Sequence, residues 1–262
     1  MNIPIVMTPF GTTTVAVETY SFMNGRISER FPDHEILWSY SSRIVKDRLK
    51  KESIIACKHP SQALSELKQR GHEWVVVQSL HLICGHEFYR LVEEVKSSPA
   101  RTSVGLPLLT DPEDYHRVVQ GLGNSLPDIK DEAIVLVGHG TDHPAWTSYV
   151  ALHHMFRARL GPRVFFGVVE GYPSREETIL NVQKAGFKKA RLIPFMLAAG
   201  THFREDLAGD EDSWKTGLEK KDISVFLQTR GLGFNKTVID IFCNHIQDAL
   251  DVIPDSTVPP LL

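Results

Sequence analysis

The sequence predicts an α/β fold in two similar halves, each a parallel sheet flanked by helices. Three observations carry this reading. Short apolar runs alternate with longer helical patterns along the chain; the runs are continuous Val/Ile/Leu stretches, as in strands buried on both faces; and motifs of the first half recur, in order, in the second.

In the first half, Ile3–Met7, Glu35–Trp38, Trp74–Val77 and Ser103–Leu106 have the length and composition of strands. Helical patterns cover Ser61–Arg70, Glu87–Lys96 and Pro112–Leu122. The stretch "GNSLPDIKD" (Gly123–Asp131) is rich in turn residues and reads as the connection between halves. In the second half the strands fall at Ala133–Val137, Val164–Val169, Ala190–Pro194 and Ile223–Gln228, with helices at Ser174–Ala185 and Lys236–Leu250. A further helix after the "GHGTDHPAW" loop would carry the pair His153–His154. The tail from Pro254 is expected to be loose.

The halves match at two places. "PFGTTTVAVETY" (Pro9–Tyr20) sets against "GHGTDHPAWTSY" (Gly138–Tyr149), sharing G-T-x-x-x-A-x-x-x-Y. "SLHLICGHEF" (Ser79–Phe88) sets against "PFMLAAGTHF" (Pro194–Phe203). Duplication explains both, although any βα junction also favours glycine at its turn. The differences are informative. His139 stands where the first half has Phe10, and His202 where it has Glu87. Both histidines follow predicted strands, at the carboxyl ends where open α/β sheets place ligands, and Glu170 follows another.

A lone strand-end histidine is more often a hydrogen-bonded structural residue than a ligand. Three convergent positions alter the balance. Two neutral imidazoles and a carboxylate suit a borderline divalent metal such as cobalt, iron, nickel or zinc. Gly138, Gly140, Gly171 and Gly200 would let a bulky ligand approach the backbone.

Other chemistries lack their motifs. There is no GxxxxGK[ST] for nucleotide phosphates and no G-x-S-x-G elbow, and "GLGFN" (Gly231–Asn235) lacks the third glycine of a dinucleotide fingerprint. A net charge of −3 over 262 residues argues against general nucleic-acid or anionic-membrane binding. No stretch reaches transmembrane length, and the start "MNIPIVMTPFGTT" does not resemble a signal peptide. Cys57, Cys84 and Cys243 are scattered and read as reduced thiols of a cytoplasmic protein.

The chain also resembles the anaerobic-type sirohydrochlorin cobaltochelatases, class II chelatases akin to ferrochelatase. The matching pieces are "GHGTDHPAW", "VVEGYPS" (Val168–Ser174), "IPFMLAAGTHFREDLAGDEDSWK" (Ile193–Lys215) and "GLGFN", with "MTPFGTT" and "QSLHLICGHEF" in the first half. They span nearly the whole chain. "GTH" stands where many relatives have "GDH", and the spacing from His139 to Glu170 differs by about a residue among relatives.

The resemblance implies two flavodoxin-like lobes facing each other across a cleft. Residues 1–125 would form the N-terminal lobe, and residues 126–262 the C-terminal lobe with the metal site, its last helix packing back on the first lobe. The resemblance further implies ATP-independent insertion of Co²⁺ into sirohydrochlorin. His139, Glu170 and His202 would be the metal ligands and His139 also a proton acceptor, with Glu170 passing protons outward. His143 is the rival for the first role and otherwise lines the tetrapyrrole cleft, as would Phe10, His86 and Glu87. For His86 and Glu87, packing or helix capping is the competing reading. Fe²⁺ or Ni²⁺ in place of Co²⁺, or a non-catalytic tetrapyrrole or metal carrier, are the other functions these residues allow. No nucleotide is expected, and an assembly of identical chains is.

Overall fold

A computed structural model describes residues 2–11, 17–41, 58–200 and 203–254. His202, Cys57 and the tail after Pro254 lie outside the described residues. The first half forms a parallel four-stranded sheet from β1 (Ile5–Thr8), β2 (Ile36–Trp38), β3 (Trp74–Ser79) and β4 (Arg101–Gly105), in the order β2-β1-β3-β4. The second repeats that order one set of four later. β5 (Glu132–Gly140), β6 (Val164–Glu170), β7 (Lys189–Phe195) and β8 (Ser224–Leu227) run β6-β5-β7-β8. Strands β1 and β5 therefore hold equivalent central positions, and all pairings are parallel.

Each sheet is covered on both faces, which is why its strands read as unbroken apolar runs. Because side chains alternate along a strand, neighbours in β3 serve different cores. Val75 and Val77 face α2 (Pro60–Gln69) and α3 (His86–Lys96), packing on Leu64, Leu67, Leu91 and Val95. Val76 faces the other way. In the second sheet Val135 and Val137 pack toward α6 (Arg175–Lys184) and α7 (Trp214–Glu219), through Ile179, Val182, Trp214 and Leu218.

The remaining faces share one core. Ile5, Met7 and Val76 of the first sheet and Ile134, Leu136, Phe166 and Phe195 of the second belong to a single buried cluster. Four helices complete it: α1 (Val17–Arg30), α4 (Pro112–Ser125), α5 (Thr147–Leu160) and α8 (Lys236–Asp251). Helix α8 packs on β3, β4 and α4, so the last helix among the described residues covers the first sheet.

The structure departs from the sequence reading at three elements. Strand β5 runs to Gly140 instead of stopping at Val137, because β6 continues beside it and Gly138 and Gly140 still find partners in Val168 and Glu170. His139 thus lies within the strand end, not after it. Helix α1 escapes the pattern because polar residues and Gly25 interrupt it, yet Tyr20, Met23 and Ile27 recur at helical spacing and are buried. Helix α7 is a short turn secured by the Ser213 hydroxyl, which accepts the Thr216 amide, and by the burial of Trp214.

Candidate active site

The second sheet presents its candidate side chains at the carboxyl ends of β5 and β6. Residues Ala133–Val137 are buried, and the chain reaches the surface at His139. Two glycines shape this exit. At Gly138 an added Cβ would sit 2.8 Å from Cε1 of Tyr149, whose ring fills the space beneath the strand. At Gly140 it would sit 1.8 Å from the carbonyl oxygen of Glu170, and φ is +93°. Only glycine lets these strand ends approach so closely.

His139 and Glu170 are both exposed. The Nδ1 atom of His139 lies 3.3 Å from the Gly140 carbonyl oxygen. A carbonyl only accepts, so Nδ1 donates and the lone pair of the ring is on Nε2. The Tyr149 hydroxyl accepts the Gly140 amide at 3.4 Å. Burial pushes this phenol up to about 12, against the lowering effect of that hydrogen bond, so it stays protonated. Its ring stacks on Phe166 at 5.5 Å, tying the strand end to the shared core.

β7 flanks β5 on the side opposite β6, with Phe195 beside Gly138. Among the described residues, no group of three or more His, Cys, Asp or Glu side chains is arranged to hold a metal ion.

A second cluster joins the halves. His86, the first residue of α3, places Nε2 2.9 Å from Oδ1 of Asp142, three residues beyond His139. The His143 ring meets that of His86 edge-on at 4.9 Å and lies 5.5 Å from Tyr89. Nδ1 of His143 accepts the Ala145 amide and caps the short 3₁₀ turn Pro144–Trp146.

Residues 4–251 match the family model described as cobalt chelatase (CbiK). The chain belongs to the CbiK cobalt chelatase family. It is 34% identical over 227 residues to the sirohydrochlorin cobaltochelatase of Salmonella typhimurium, spanning 84% of this chain and 85% of that protein. It is 32% identical over 265 residues to the sirohydrochlorin cobaltochelatase CbiKC of Nitratidesulfovibrio vulgaris, spanning 96% and 92%. Among solved structures, SirB from Bacillus subtilis with Fe³⁺ superposes with a TM-score of 0.67 at 16% identity, over 95% of this chain and 96% of that one. That likeness shows a shared fold.

Within this CbiK fold the other candidates from the sequence take separate places. Phe10 lies just past the end of β1, the equivalent of β5, and is 45% exposed. Glu87 is engaged by Arg90 one turn along α3, at 3.0 Å. His153 is turned away, with Nε2 on the Val164 carbonyl. Sequence reasoning missed Tyr149, Asp142 and Tyr89. Tyr149 had a signal, since it closes the spacing shared with Tyr20, but that spacing does not reveal its contact with Gly138 and Gly140.

Proposed function

We propose that this chain inserts Co²⁺ into sirohydrochlorin without nucleotide hydrolysis, as a step of anaerobic cobalamin biosynthesis. The observation that carries the reading is the placement of His139 and Glu170 on the adjoining ends of β5 and β6, in a chain of the CbiK family. Strand ends of this kind are where parallel α/β sheets hold ligands.

In this reading His139, Glu170 and His202 bind the substrate metal. Imidazole nitrogens and a carboxylate suit a borderline divalent ion, and a three-ligand site leaves coordination positions for pyrrole nitrogens. The carboxylate of Glu170 offsets the charge of the ion and hands protons outward. His139 binds through Nε2, and protonation of that atom as the ion departs prevents its return. Phe10, His86, Glu87 and His143 line the tetrapyrrole site. Four metal–nitrogen bonds form in the product, so the reaction needs no coupled hydrolysis. Fe²⁺ and Ni²⁺ are competing substrate metals, because this ligand set discriminates weakly among them. The setting is the cytoplasm. Among the described residues no helix is long and apolar enough to cross a membrane.

The test is anaerobic insertion followed by the absorption change of the tetrapyrrole, with Co²⁺, Fe²⁺ and Ni²⁺ in competition. Co²⁺ is expected to give the highest kcat/KM. His139→Ala is expected to fold normally and to lose at least about hundredfold in rate. Wild-type insertion by this variant would overturn the ligand assignment, and stoichiometric binding without turnover by the unaltered chain would make it a carrier.

A further inference from the structure

Resting on the chelatase reading, we infer that His86, held by Asp142, is a second base that takes one of the two pyrrole protons. His139 alone does not suffice. Its Nδ1 donates to the Gly140 carbonyl, so Nε2 carries the single lone pair of the ring. While that lone pair binds the metal it cannot also bind a proton. A proton that leaves the macrocycle before the metal has left the protein therefore needs a base that is not a ligand.

His86 has the required form. A carboxylate only accepts, so the 2.9 Å contact with Asp142 places hydrogen on Nε2 and leaves the Nδ1 lone pair for a proton. A base oriented by a carboxylate on its far nitrogen is the arrangement that stabilises an imidazolium as it forms. The edge-on His143 ring limits rotation of the imidazole. The side chain of His86 is 58% exposed and that of Asp142 93%, so a captured proton has a path to water. Asp142 is three residues from His139, and three residues span at most ~10 Å. His86 comes from the first half of the chain and His139 from the second, and Asp142 joins the two.

In the first proton transfer a pyrrole N–H bond breaks, and its electron pair stays on nitrogen as a donor to Co²⁺. The proton joins Nδ1 of His86 to give an imidazolium beside the Asp142 carboxylate, and then passes to water. The second pyrrole proton goes to Nε2 of His139 once the ion has left it. Two protons leave on two bases, and no oxidant or reductant is involved.

The experiment compares the unaltered full chain with His86→Ala and Asp142→Asn in anaerobic Co²⁺ insertion. Co²⁺ binding without tetrapyrrole is read in parallel from the visible d–d absorption. His86→Ala is expected to lower kcat about hundredfold. Its Co²⁺ affinity is expected to stay unchanged, and imidazole added to the assay to restore part of the rate. Asp142→Asn, at a position exposed enough to leave the fold alone, is expected to lower kcat in the same direction by less. Undiminished kcat in both variants would overturn the inference while leaving the chelatase reading intact. Loss of Co²⁺ binding by His86→Ala in step with its rate would overturn it too, by making His86 part of the metal site. Absence of insertion by the unaltered chain would overturn both readings together.

Discussion

At Gly140 the backbone has φ +93°, and a methyl group there would fall 1.8 Å from the Glu170 carbonyl oxygen. An L residue pays a steric penalty in this region of about 1–2 kcal/mol, before any clash is counted. Gly140→Ala is therefore expected to lower unfolding free energy by at least about 2 kcal/mol and to weaken Co²⁺ binding, because the shift separates the His139 and Glu170 strand ends. Urea unfolding and Co²⁺ titration check the two effects, and wild-type values for both would show that the close approach is unimportant. The strand-end placement of His139 and Glu170 was legible in the sequence because each follows an apolar run. Asp142 was not, since its partner His86 lies 56 residues away in sequence and no local pattern links them. The spacing shared with Tyr20 marks Tyr149, but its role depends on a strand packed above its ring, which that spacing does not show.

Helix α8 owes its place on the first sheet partly to a buried polar chain. His245 puts Nδ1 on the Leu106 carbonyl at 3.0 Å and Nε2 on Asp114 of α4 at 3.2 Å. Both partners accept, so both ring nitrogens donate and the imidazole is charged. Burial alone would push the His245 pKa down; the hydrogen bond and charge of Asp114 outweigh it and raise the value. For Asp114 burial acts upward, and the bonds from His245 and from the Asp111 and Thr110 amides bring the pKa below its ordinary value. The raised histidine adds stability that is full below its unfolded pKa of ~6.5 and is lost as pH climbs through the folded value. The lowered aspartate adds stability that is full above its unfolded pKa of ~3.9 and is lost as pH falls through the folded value. Removing one partner of a buried pair costs about 3 kcal/mol, so His245→Gln is expected to destabilise by about that much. The deficit, measured by urea unfolding, should be largest at about pH 4–6.5 and shrink as the pH is raised beyond it. A deficit constant up to alkaline pH would mean that the imidazole is neutral in the folded state. The helix itself was visible from its apolar stripe, whereas its packing on the first half came only from the family resemblance. A stripe shows that a face is buried without saying against what, and the first sheet is more than a hundred residues away.

Over the whole molecule, equivalent strand orders imply a repeated unit, yet the repeat does not make two independent bodies. The eight described strands split into two sheets, but the inner faces of both share one apolar cluster with α1, α4, α5 and α8. The two sheets divide between β4 and β5, and the core crosses that division. A chain ending at residue 125 would lack α8, exposing apolar positions of β3, β4 and α4 that this helix covers. Burial of apolar surface contributes about 25 cal/mol per Å², so uncovering such a face removes much of the margin of a small domain. Two outcomes follow from a shared core. The intact chain should unfold in urea through a single transition, with tryptophan fluorescence and far-UV circular dichroism superimposed. The fragment of residues 1–125 should show poor amide dispersion in its proton NMR spectrum, and adding residues 126–262 as a separate fragment should restore it if the two associate. Two resolved transitions in the intact chain, or a well-dispersed spectrum from the isolated fragment, would show each sheet to be self-sufficient. A shared core also explains how the second half can carry all three candidate metal ligands while the first has Phe10 at the equivalent strand end. The first half is held to the second by the core and not by the candidate ligands, so its own strand ends are free to diverge.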